Sequence, residues 1–339
     1  MARQAFLVWL EFGISAALIV LAGWRLSRYG DVIAEKSGLG GTWVGVVLLA
    51  SATSLPELIT GVSAVAAANA PDIAVGNVLG ACVLNLTYLV VLDFVHRKES
   101  IYTRAKQGHI LSAGFCALLL GFVGFSLLLA QRIDGPSLGH VGVYSPAIVI
   151  LYLLSMRLVF SYEKKQMVAY VEGAFERYPH LTLRQALVRF SLAALVVLAA
   201  GTWLPFIGEE IAQLYNWHAS FVGTLFIAAA TSLPELVVTF SAMRIGALDM
   251  AIANLLGSNL FNLLVLAIDD VFYLHGPLLS HVSAAHALSA MSALTMIGAV
   301  IVGLLYRPAG RLFRTVGWTS ILLLWVYLMN AYVLFRFGG

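Results

Sequence analysis

The heptapeptide Ala52-Thr53-Ser54-Leu55-Pro56-Glu57-Leu58 decides how this chain folds, because it occurs twice. It returns 178 positions later as Ala230-Thr231-Ser232-Leu233-Pro234-Glu235-Leu236. Each copy places a carboxylate and a proline inside a long apolar run. A charge at the centre of a membrane-spanning helix costs about 2.5–3.5 kcal/mol on insertion scales, and such residues usually mark an ion or substrate pathway. The repetition therefore predicts one site built from two related halves.

The composition around these copies is that of a polytopic helical membrane protein. Of the 339 residues, 60% are hydrophobic and only 11% are charged, and the mean hydropathy is +0.90. A soluble protein carries about 25% charged residues. The apolar runs are long enough to cross a hydrocarbon layer about 30 Å thick. We expect an all-α fold with ten spans, near residues 5–24, 41–68, 72–95, 109–131, 141–160, 187–208, 219–243, 248–271, 283–305 and 316–335.

The basic residues predict the orientation of these spans. With the N-terminus outside, 17 of the 20 lysines and arginines fall in inner loops, as the positive-inside rule requires. We therefore expect a multi-pass protein of the plasma (inner) membrane, surrounded by the lipid bilayer, with both termini outside. The net charge of +3 reflects these loops, so no nucleic-acid partner is expected, and the oligomeric state stays open.

The repetition extends beyond the heptapeptide and defines two halves. Asp72, Asn77, Asn85 and Asp93 recur 177 positions later as Asp249, Asn254, Asn262 and Asp270. Each half holds five spans, and because five is odd the halves enter the membrane in opposite senses. Such inverted repeats bring broken helices together near the bilayer midplane, where the substrate binds. Asp93 and Asp270 lie at span ends, where we expect them at the membrane interface.

These halves give the domain boundaries. The first five-helix repeat covers residues 1–160, with its motif at 52–85, and the second covers 187–339, with its motif at 230–262. A polar cytoplasmic linker, 161–186, joins them. We expect its residues 163–177 to form an amphipathic helix on the inner leaflet.

Each proline should open its helix beside the glutamate. Pro56 lacks an N–H and clashes with the carbonyl of Ala52, so the carbonyls of Ala52 and Thr53 become available. Thr53 and Ser54 lie four and three residues before Glu57, which places their hydroxyls on its helical face. The second copy supplies the equivalent atoms from Ala230, Thr231, Ser232, Pro234 and Glu235.

The span after each copy adds amide side chains. Residues spaced by four lie on one helical face, and two trios with this spacing are Asn77, Ala81, Asn85 and Asn254, Ser258, Asn262. Gly76 and Gly80 in the first of these spans should allow another helix to approach closely. Two carboxylates ringed by neutral oxygens suit a hard cation, since Ca²⁺ takes six to eight oxygen ligands. Without a cation, two like charges in a low dielectric should hold a proton. Protons should therefore compete with the cation.

These motifs resemble those of the cation/calcium exchanger superfamily, most closely its sodium/calcium exchanger branch. A doubled Thr-Ser-Leu-Pro-Glu followed by Gly-Asn-x-x-Gly is highly specific. The resemblance implies ten helices with a diamond-shaped central site on the second, third, seventh and eighth spans. It also implies that Glu57 and Glu235 bind Ca²⁺ and Na⁺ alternately. The candidate metal-binding residues are Glu57, Glu235, Thr53, Thr231, Ala52, Ala230, Ser54, Ser232, Asn77, Asn85, Asn254, Ser258 and Asn262.

The first half departs from the family pattern. It reads Gly80-Ala81-Cys82 where the second half keeps Gly257-Ser258-Asn259, so a hydroxyl that would help to hold sodium is missing. Two transport hypotheses follow: a secondary antiporter exchanging Ca²⁺ for Na⁺ by alternating access, or one exchanging Ca²⁺ or another cation for H⁺. A cation channel fits less well, because both copies lie in one chain. No enzymatic motif is present in the sequence, so we expect cations as substrates, no cofactor and no enzyme activity.

Overall fold

The computed structural model describes residues 2–36, 51, 53–96, 99–105, 108–133, 135–167, 178, 180–244, 248–307 and 316–337. This part of the chain is almost entirely helical. The helices are α1 (Ala2–Lys36), α2 (Leu55–Ala66), α3 (Pro71–Val95), α4 (Ile101–Arg104), α5 (Gly108–Ala130), α6 (Tyr144–Met167), α7 (Leu183–Tyr215), α8 (Ala219–Val222), α9 (Ala228–Thr231), α10 (Leu233–Arg244), α11 (Leu248–Phe272), α12 (Ala285–Tyr306) and α13 (Trp318–Phe337). A π-helical turn, Gly223–Ile227, joins α8 to α9, and a 3-10 turn covers Leu278–Ser280. Strands β1 (Ser137–Leu138) and β2 (Val141–Gly142) pair antiparallel.

The described helices confirm a polytopic membrane fold. Within the described ranges, eight helices are long and apolar enough to cross a membrane. A ninth span is formed if Ala219–Thr231 and Leu233–Phe240, which meet at 41°, are taken together. Helix α2 is apolar but has only 12 residues. Residues 37–50 lie outside the described residues, and they include the first ten residues of the predicted span 41–68. The tenth span therefore stays a prediction, and residues 168–177 of the predicted linker helix likewise lie outside the described residues.

Local signals set the ends of α7, which runs beyond the predicted span 187–208. Thr182 and Gln185 form a capping box at its start: the Thr182 hydroxyl accepts from the Gln185 N–H, and the Gln185 side chain accepts from the Thr182 N–H. At the other end Asn216 adopts a left-handed conformation, with φ of 53°. Such caps satisfy backbone groups that a helix end leaves unpaired. The helix therefore continues past the apolar residues that defined the span.

Helices α3 and α11 form the centre of the bundle. In each of them 72% of the apolar window is buried, against 22% for α1 and α6. Glycines allow the closest approach: a Cβ on Gly76 would lie 3.0 Å from the backbone nitrogen of Thr224, and one on Gly80 would collide with the Thr224 carbonyl. The expected close packing at these two glycines is confirmed. It seats α3 directly against the π-helical turn of the second half.

Two buried aspartates bind the halves together by equivalent hydrogen bonds. Asp93 accepts from the backbone N–H groups of Ile101 and Gly317 and from the hydroxyls of Ser100 and Ser320. Asp270 accepts from the N–H groups of Leu278 and Gly142 and from the hydroxyls of Tyr144 and Ser145. Each aspartate thus draws donors from both halves. Both side chains are fully buried within the bundle, and their position at the membrane interface stays a prediction. Four donors make it possible to bury each carboxylate.

Two histidine–aspartate pairs repeat this exchange between halves. His286 Nε2 lies 2.9 Å from Asp72 Oδ1, and His109 Nε2 lies 3.0 Å from Asp249 Oδ1. His286 follows His109 by 177 residues, and Asp249 follows Asp72 by 177 residues. The contact between His109 and Asp249 joins the start of α5 to the start of α11. Only residues 96–107 separate the end of α3 from the start of α5, so the start of α11 lies at the same end of the bundle as the end of α3. The two central helices are therefore antiparallel.

Candidate functional site

The repeated heptapeptides form two helix breaks. Ser54 and Ser232 leave helical geometry, with φ/ψ of −88°/9° and −87°/5°, and α2 and α10 begin at the next residue. Pro56 and Pro234 then occupy the first turn, where a missing N–H costs little. The predicted break beside each proline is confirmed. The proline ring sets the helix start, and the serine two residues earlier forms the break itself.

The two breaks are held together by crossed hydrogen bonds. Ser54 Oγ donates to Glu235 Oε1 at 2.9 Å, and Ser232 Oγ donates to Glu57 Oε1 at 2.8 Å. The spacing in the sequence places Ser54 beside Glu57 of its own copy. In the structure each serine instead binds the glutamate of the other copy. Glu57 and Glu235 are therefore brought into one buried site.

One oxygen of each glutamate is left without a partner. Among the described residues, neither Glu57 Oε2 nor Glu235 Oε2 has a hydrogen-bond donor, and both side chains are fully buried. The crossed serine bonds bring both carboxylates to the same pair of helix breaks. Burying an unpaired charge costs several kcal/mol. This arrangement therefore favours a bound cation or a proton between the two glutamates.

Asn77 joins the two copies next to Glu57. Its Nδ2 donates to the Glu57 backbone carbonyl at 3.2 Å, and its Oδ1 accepts from Thr231 Oγ1 at 2.9 Å. The Thr231 hydroxyl also lies 3.2 Å from the carbonyl oxygens of Ile227 and Ala228 in its own helix. Asn77 thus fixes the main chain at one glutamate and the threonine of the opposite copy.

The two repeated threonines have different surroundings. The Thr53 and Ser258 hydroxyl oxygens lie 3.4 Å apart. Ala81 takes the place of Ser258 in the first half, so by the repeat relation the residue that corresponds to Ser258 carries no hydroxyl for Thr231. Thr231 donates to the amide oxygen of Asn77, and the two threonines therefore contact different polar groups. Of the two proposed carbonyl donors, Ala230 is buried, and Ala52 lies outside the described residues.

The remaining amides are also placed unequally. Asn85 Nδ2 donates to Asn259 Oδ1 at 3.0 Å, and Asn259 Nδ2 donates to the Cys82 carbonyl at 3.2 Å. Cys82 is the counterpart of Asn259, so Asn262 lacks the amide partner that Asn85 has. Both amide atoms of Asn262 are buried without a hydrogen-bond partner in the described part of the chain.

The other predicted asparagine, Asn254, lies in a separate contact. Its Nδ2 donates to Thr239 Oγ1 at 3.2 Å, and its Oδ1 is buried without a donor among the described residues. Its counterpart Asn77 bonds instead to the main chain of Glu57. Asn254 is therefore buried like Ser258 and Asn262 on the same helix, but its amide bonds to Thr239 rather than to either glutamate.

Sequence reasoning left three buried polar residues out of the site: Thr239, Asn259 and Asp269. Asn259 stands in the Gly257-Ser258-Asn259 motif of the second half, which was a usable signal. Asp269 had none, because its counterpart 177 positions earlier is Leu92. Asp269 is fully buried, and neither carboxylate oxygen has a partner in the described ranges. It packs on Gly61, where a Cβ would lie 2.5 Å from its Oδ2.

A cation here would depend on neutral oxygens as well as on carboxylates. The described residues contain no group of three or more His, Cys, Asp or Glu side chains placed to hold a metal ion. The polar groups that surround Glu57 and Glu235 are hydroxyls and amides, together with backbone carbonyls at the breaks. Such a set is suited to hard cations rather than to zinc or copper.

Comparison with known proteins identifies the family. The sodium/calcium exchanger protein family model matches residues 7–163 and 185–335. The chain belongs to this family. The exchanger is therefore a polytopic membrane protein and a cation/calcium antiporter, in a family of transporters rather than enzymes.

Individual relatives are distant but cover most of the exchanger. It is 23% identical over 254 residues to the inner membrane protein YrbG of Escherichia coli (strain K12), covering 74% of this chain and 75% of that protein. It is 27% identical over 284 residues to the sodium/calcium exchanger MaX1 of Methanosarcina acetivorans, covering 73% and 77%. The solved sodium-calcium exchanger NCX_Mj superposes with a TM-score of 0.61 at 22% identity, covering 97% of this chain and 98% of that one. At this identity, the structural likeness concerns the fold.

Proposed function

We propose that the exchanger moves Ca²⁺ against Na⁺ by alternating access at a site between Glu57 and Glu235. The crossed serine bonds carry this proposal, because they hold one oxygen of each carboxylate and leave the other unpaired. Two carboxylates neutralise one divalent cation. Ca²⁺ accepts six to eight oxygen ligands in flexible geometry, whereas Mg²⁺ requires a rigid octahedron and dehydrates reluctantly.

The polar residues around the glutamates have distinct proposed roles. Glu57 and Glu235 bind the cation directly, and Ser54 and Ser232 position them. The hydroxyls of Thr53 and Thr231, the carbonyls of Ala52 and Ala230, the amides of Asn77, Asn85, Asn254 and Asn262, and the hydroxyl of Ser258 supply or orient the neutral oxygens.

The exchanged contacts support two inverted five-helix repeats. Asp93 and Asp270 receive equivalent donors, and the two histidine–aspartate pairs each join one half to the other. A two-fold relation between the halves produces reciprocal contacts of this kind. Together with the antiparallel α3 and α11, they favour ten spans with opposite orientations, which alternating access uses directly. The distribution of basic residues favours an N-terminus outside the plasma membrane.

Helices α1 and α7 are the proposed moving elements. Gly23 of α1 packs on Pro234 of the second break, where a Cβ would lie 2.5 Å from the proline ring. Gly201 of α7 packs on Ile59, just after the first break, where a Cβ on the glycine would lie 3.1 Å from Ile59 Cγ2. Each long helix therefore crosses the break of the opposite half over a glycine. Sliding of these two helices would uncover the site from one side at a time.

Exchange of Ca²⁺ or another cation for H⁺ is the alternative. It is favoured by Ala81, which removes a hydroxyl opposite Thr231 and so weakens the oxygen set available to Na⁺. A proton needs no such set, since it can bind to Glu57 or Glu235 alone. The same two glutamates therefore serve either hypothesis.

Transport by the purified exchanger in sealed vesicles tests these proposals. Uptake of ⁴⁵Ca²⁺ is measured with an outward Na⁺ gradient, an outward H⁺ gradient, or neither. Uptake driven by Na⁺ and insensitive to the H⁺ gradient is the expected result. Uptake that follows only the H⁺ gradient would select the alternative. Rapid uptake with neither gradient would reject antiport and favour a channel.

A further inference from the structure

A groove of about 410 Å³ lies between α1 and α7, and neither Glu57 nor Glu235 lines it. Its apolar wall is formed by Leu18 and Leu21 of α1 and by Leu192 and Val196 of α7. These four side chains are 39–57% exposed. In a membrane-spanning bundle, such an exposed apolar wall faces lipid.

Small residues create the floor of this groove. Ala22 and Ala193 lie where the two helices meet, and they are only 3% and 5% exposed. They pack in a small apolar cluster with Leu26 and Val197. Because alanine fills little space between two helices, a furrow remains above it, bordered by the larger leucines.

The groove is charged at one end. Arg25 follows Leu21 and Leu18 by four and seven residues, so all three lie on one face of α1. Arg189 precedes Leu192 and Val196 by three and seven residues on α7, which runs the other way. Both arginines therefore line the same end of the groove. From there the apolar wall extends about 10 Å toward the middle of the helices, at 1.5 Å per residue.

Arg189 lies against an aromatic ring, and neither arginine is paired with a carboxylate among the described residues. The guanidinium carbon of Arg189 lies 5.7 Å from the centre of the Tyr29 ring, a cation–π distance. No acidic side chain lines the groove, and among the described residues no carboxylate pairs with either arginine. Two positive charges thus lie at one end of the apolar groove. The distribution of basic residues predicts that this end is on the cytoplasmic side of the membrane.

We propose that this groove binds one anionic phospholipid. The phosphate lies between Arg25 and Arg189, and one acyl chain lies along the leucines over Ala22 and Ala193. Charge complementarity selects an anion, because basic pockets between spanning helices on the cytoplasmic side bind anionic head groups. The continuous apolar wall selects a lipid over a free phosphate, which would use only the charged end. The bound lipid ties α1 to α7.

The binding test does not depend on transport. Purified, delipidated exchanger in neutral detergent is titrated with phosphatidylglycerol, with phosphatidylcholine of the same acyl chains, or with inorganic phosphate. Thermal unfolding reports the shift in midpoint, and native mass spectrometry counts the bound lipids. Phosphatidylglycerol is expected to bind saturably with a stoichiometry of one and to raise the midpoint. Phosphatidylcholine and inorganic phosphate should do neither.

Variants separate the two parts of the groove. R25Q and R189Q should each weaken phosphatidylglycerol binding about fivefold, and the double variant about 25-fold. A193F should weaken it by filling the floor while leaving the charges intact. R157Q is the matched control, since it removes an exposed arginine on α6 outside the groove, and should bind like the wild type.

Four results would overturn the proposal. Equal binding of phosphatidylglycerol and phosphatidylcholine would show that charge does not select the lipid. Wild-type affinity in the variant that combines R25Q and R189Q would show that the two arginines do not bind the phosphate. Equal protection by inorganic phosphate would assign the groove to a free anion. A loss in R157Q as large as that in R189Q would also reject a specific site, because surface charge alone would then explain it. If A193F does not fold, the arginine variants still decide the question.

Discussion

Glu57→Gln should abolish Ca²⁺ transport while leaving the exchanger folded. The glutamine keeps the shape of the side chain and an oxygen that can accept the Ser232 bond, which is 2.8 Å long. What it loses is the charge at the unpaired Oε2. For one pair of unit charges 4 Å apart, the interaction is worth about 4 kcal/mol at an effective dielectric of 20. Because Ca²⁺ carries two charges, this is the smaller limit, and it corresponds to a loss of at least about 10³ in Ca²⁺ affinity.

The assay combines flux with a test of folding. ⁴⁵Ca²⁺ uptake into vesicles under a Na⁺ gradient is compared for wild type, Glu57→Gln and Glu235→Gln, and thermal unfolding is measured for each protein in detergent. Glu210→Gln is the matched control, because it makes the same chemical change at an exposed position, and it should transport normally. Wild-type uptake by Glu57→Gln or Glu235→Gln would refute the site, since neither glutamate would then be needed to neutralise the cation.

Three further predictions follow from particular contacts. Ala81→Ser should restore a hydroxyl opposite Thr231 and lower the Na⁺ concentration needed for half-maximal inhibition of Ca²⁺ uptake several-fold; an unchanged Na⁺ dependence would remove Ala81 as the cause of weak Na⁺ binding. Asp270→Asn should lower thermal stability, by about 1–3 kcal/mol for each donor left unpaired. Asp269→Asn breaks no hydrogen bond within the described part of the chain and should change the unfolding midpoint little; similar losses in both would contradict the bonding described. Gly80→Ala should impair folding or expression, because its Cβ would collide with a backbone carbonyl; a fully stable variant would show that the neighbouring turn can move away.

Much of the architecture was predictable from local sequence. The apolar runs predicted the helices, because burying a backbone in lipid requires internal hydrogen bonds. The prolines predicted the helix breaks, since a residue without an N–H cannot continue the ladder. Gly76 and Gly80 predicted a close approach, which the structure confirms. Element ends were less predictable, because α7 is extended by the Thr182–Gln185 cap and by polar residues beyond the apolar span.

The candidate site was predictable in its composition but not in its bonding. The duplicated heptapeptide identified both glutamates, and helical spacing suggested that Ser54 would stay beside Glu57. The structure bonds it to Glu235, 181 positions away. Likewise, Asp93 and Asp270 were recognisable as span-end residues, but the donors from both halves that bury their side chains were not.

The sequence by itself therefore determined the membrane class, the two related halves and the identity of the acidic residues, because these depend on hydropathy and repetition along the chain. Only the tertiary structure decided which serine hydroxyl meets which glutamate. It also decided that the side-chain amide of Asn85 has a hydrogen-bond partner, whereas among the described residues Asn262 and Asp269 have none. These contacts join residues from different halves, and their geometry depends on how two antiparallel helices pack. Helical periodicity reports which side chains share a face, but it carries no information about the element that the face will meet.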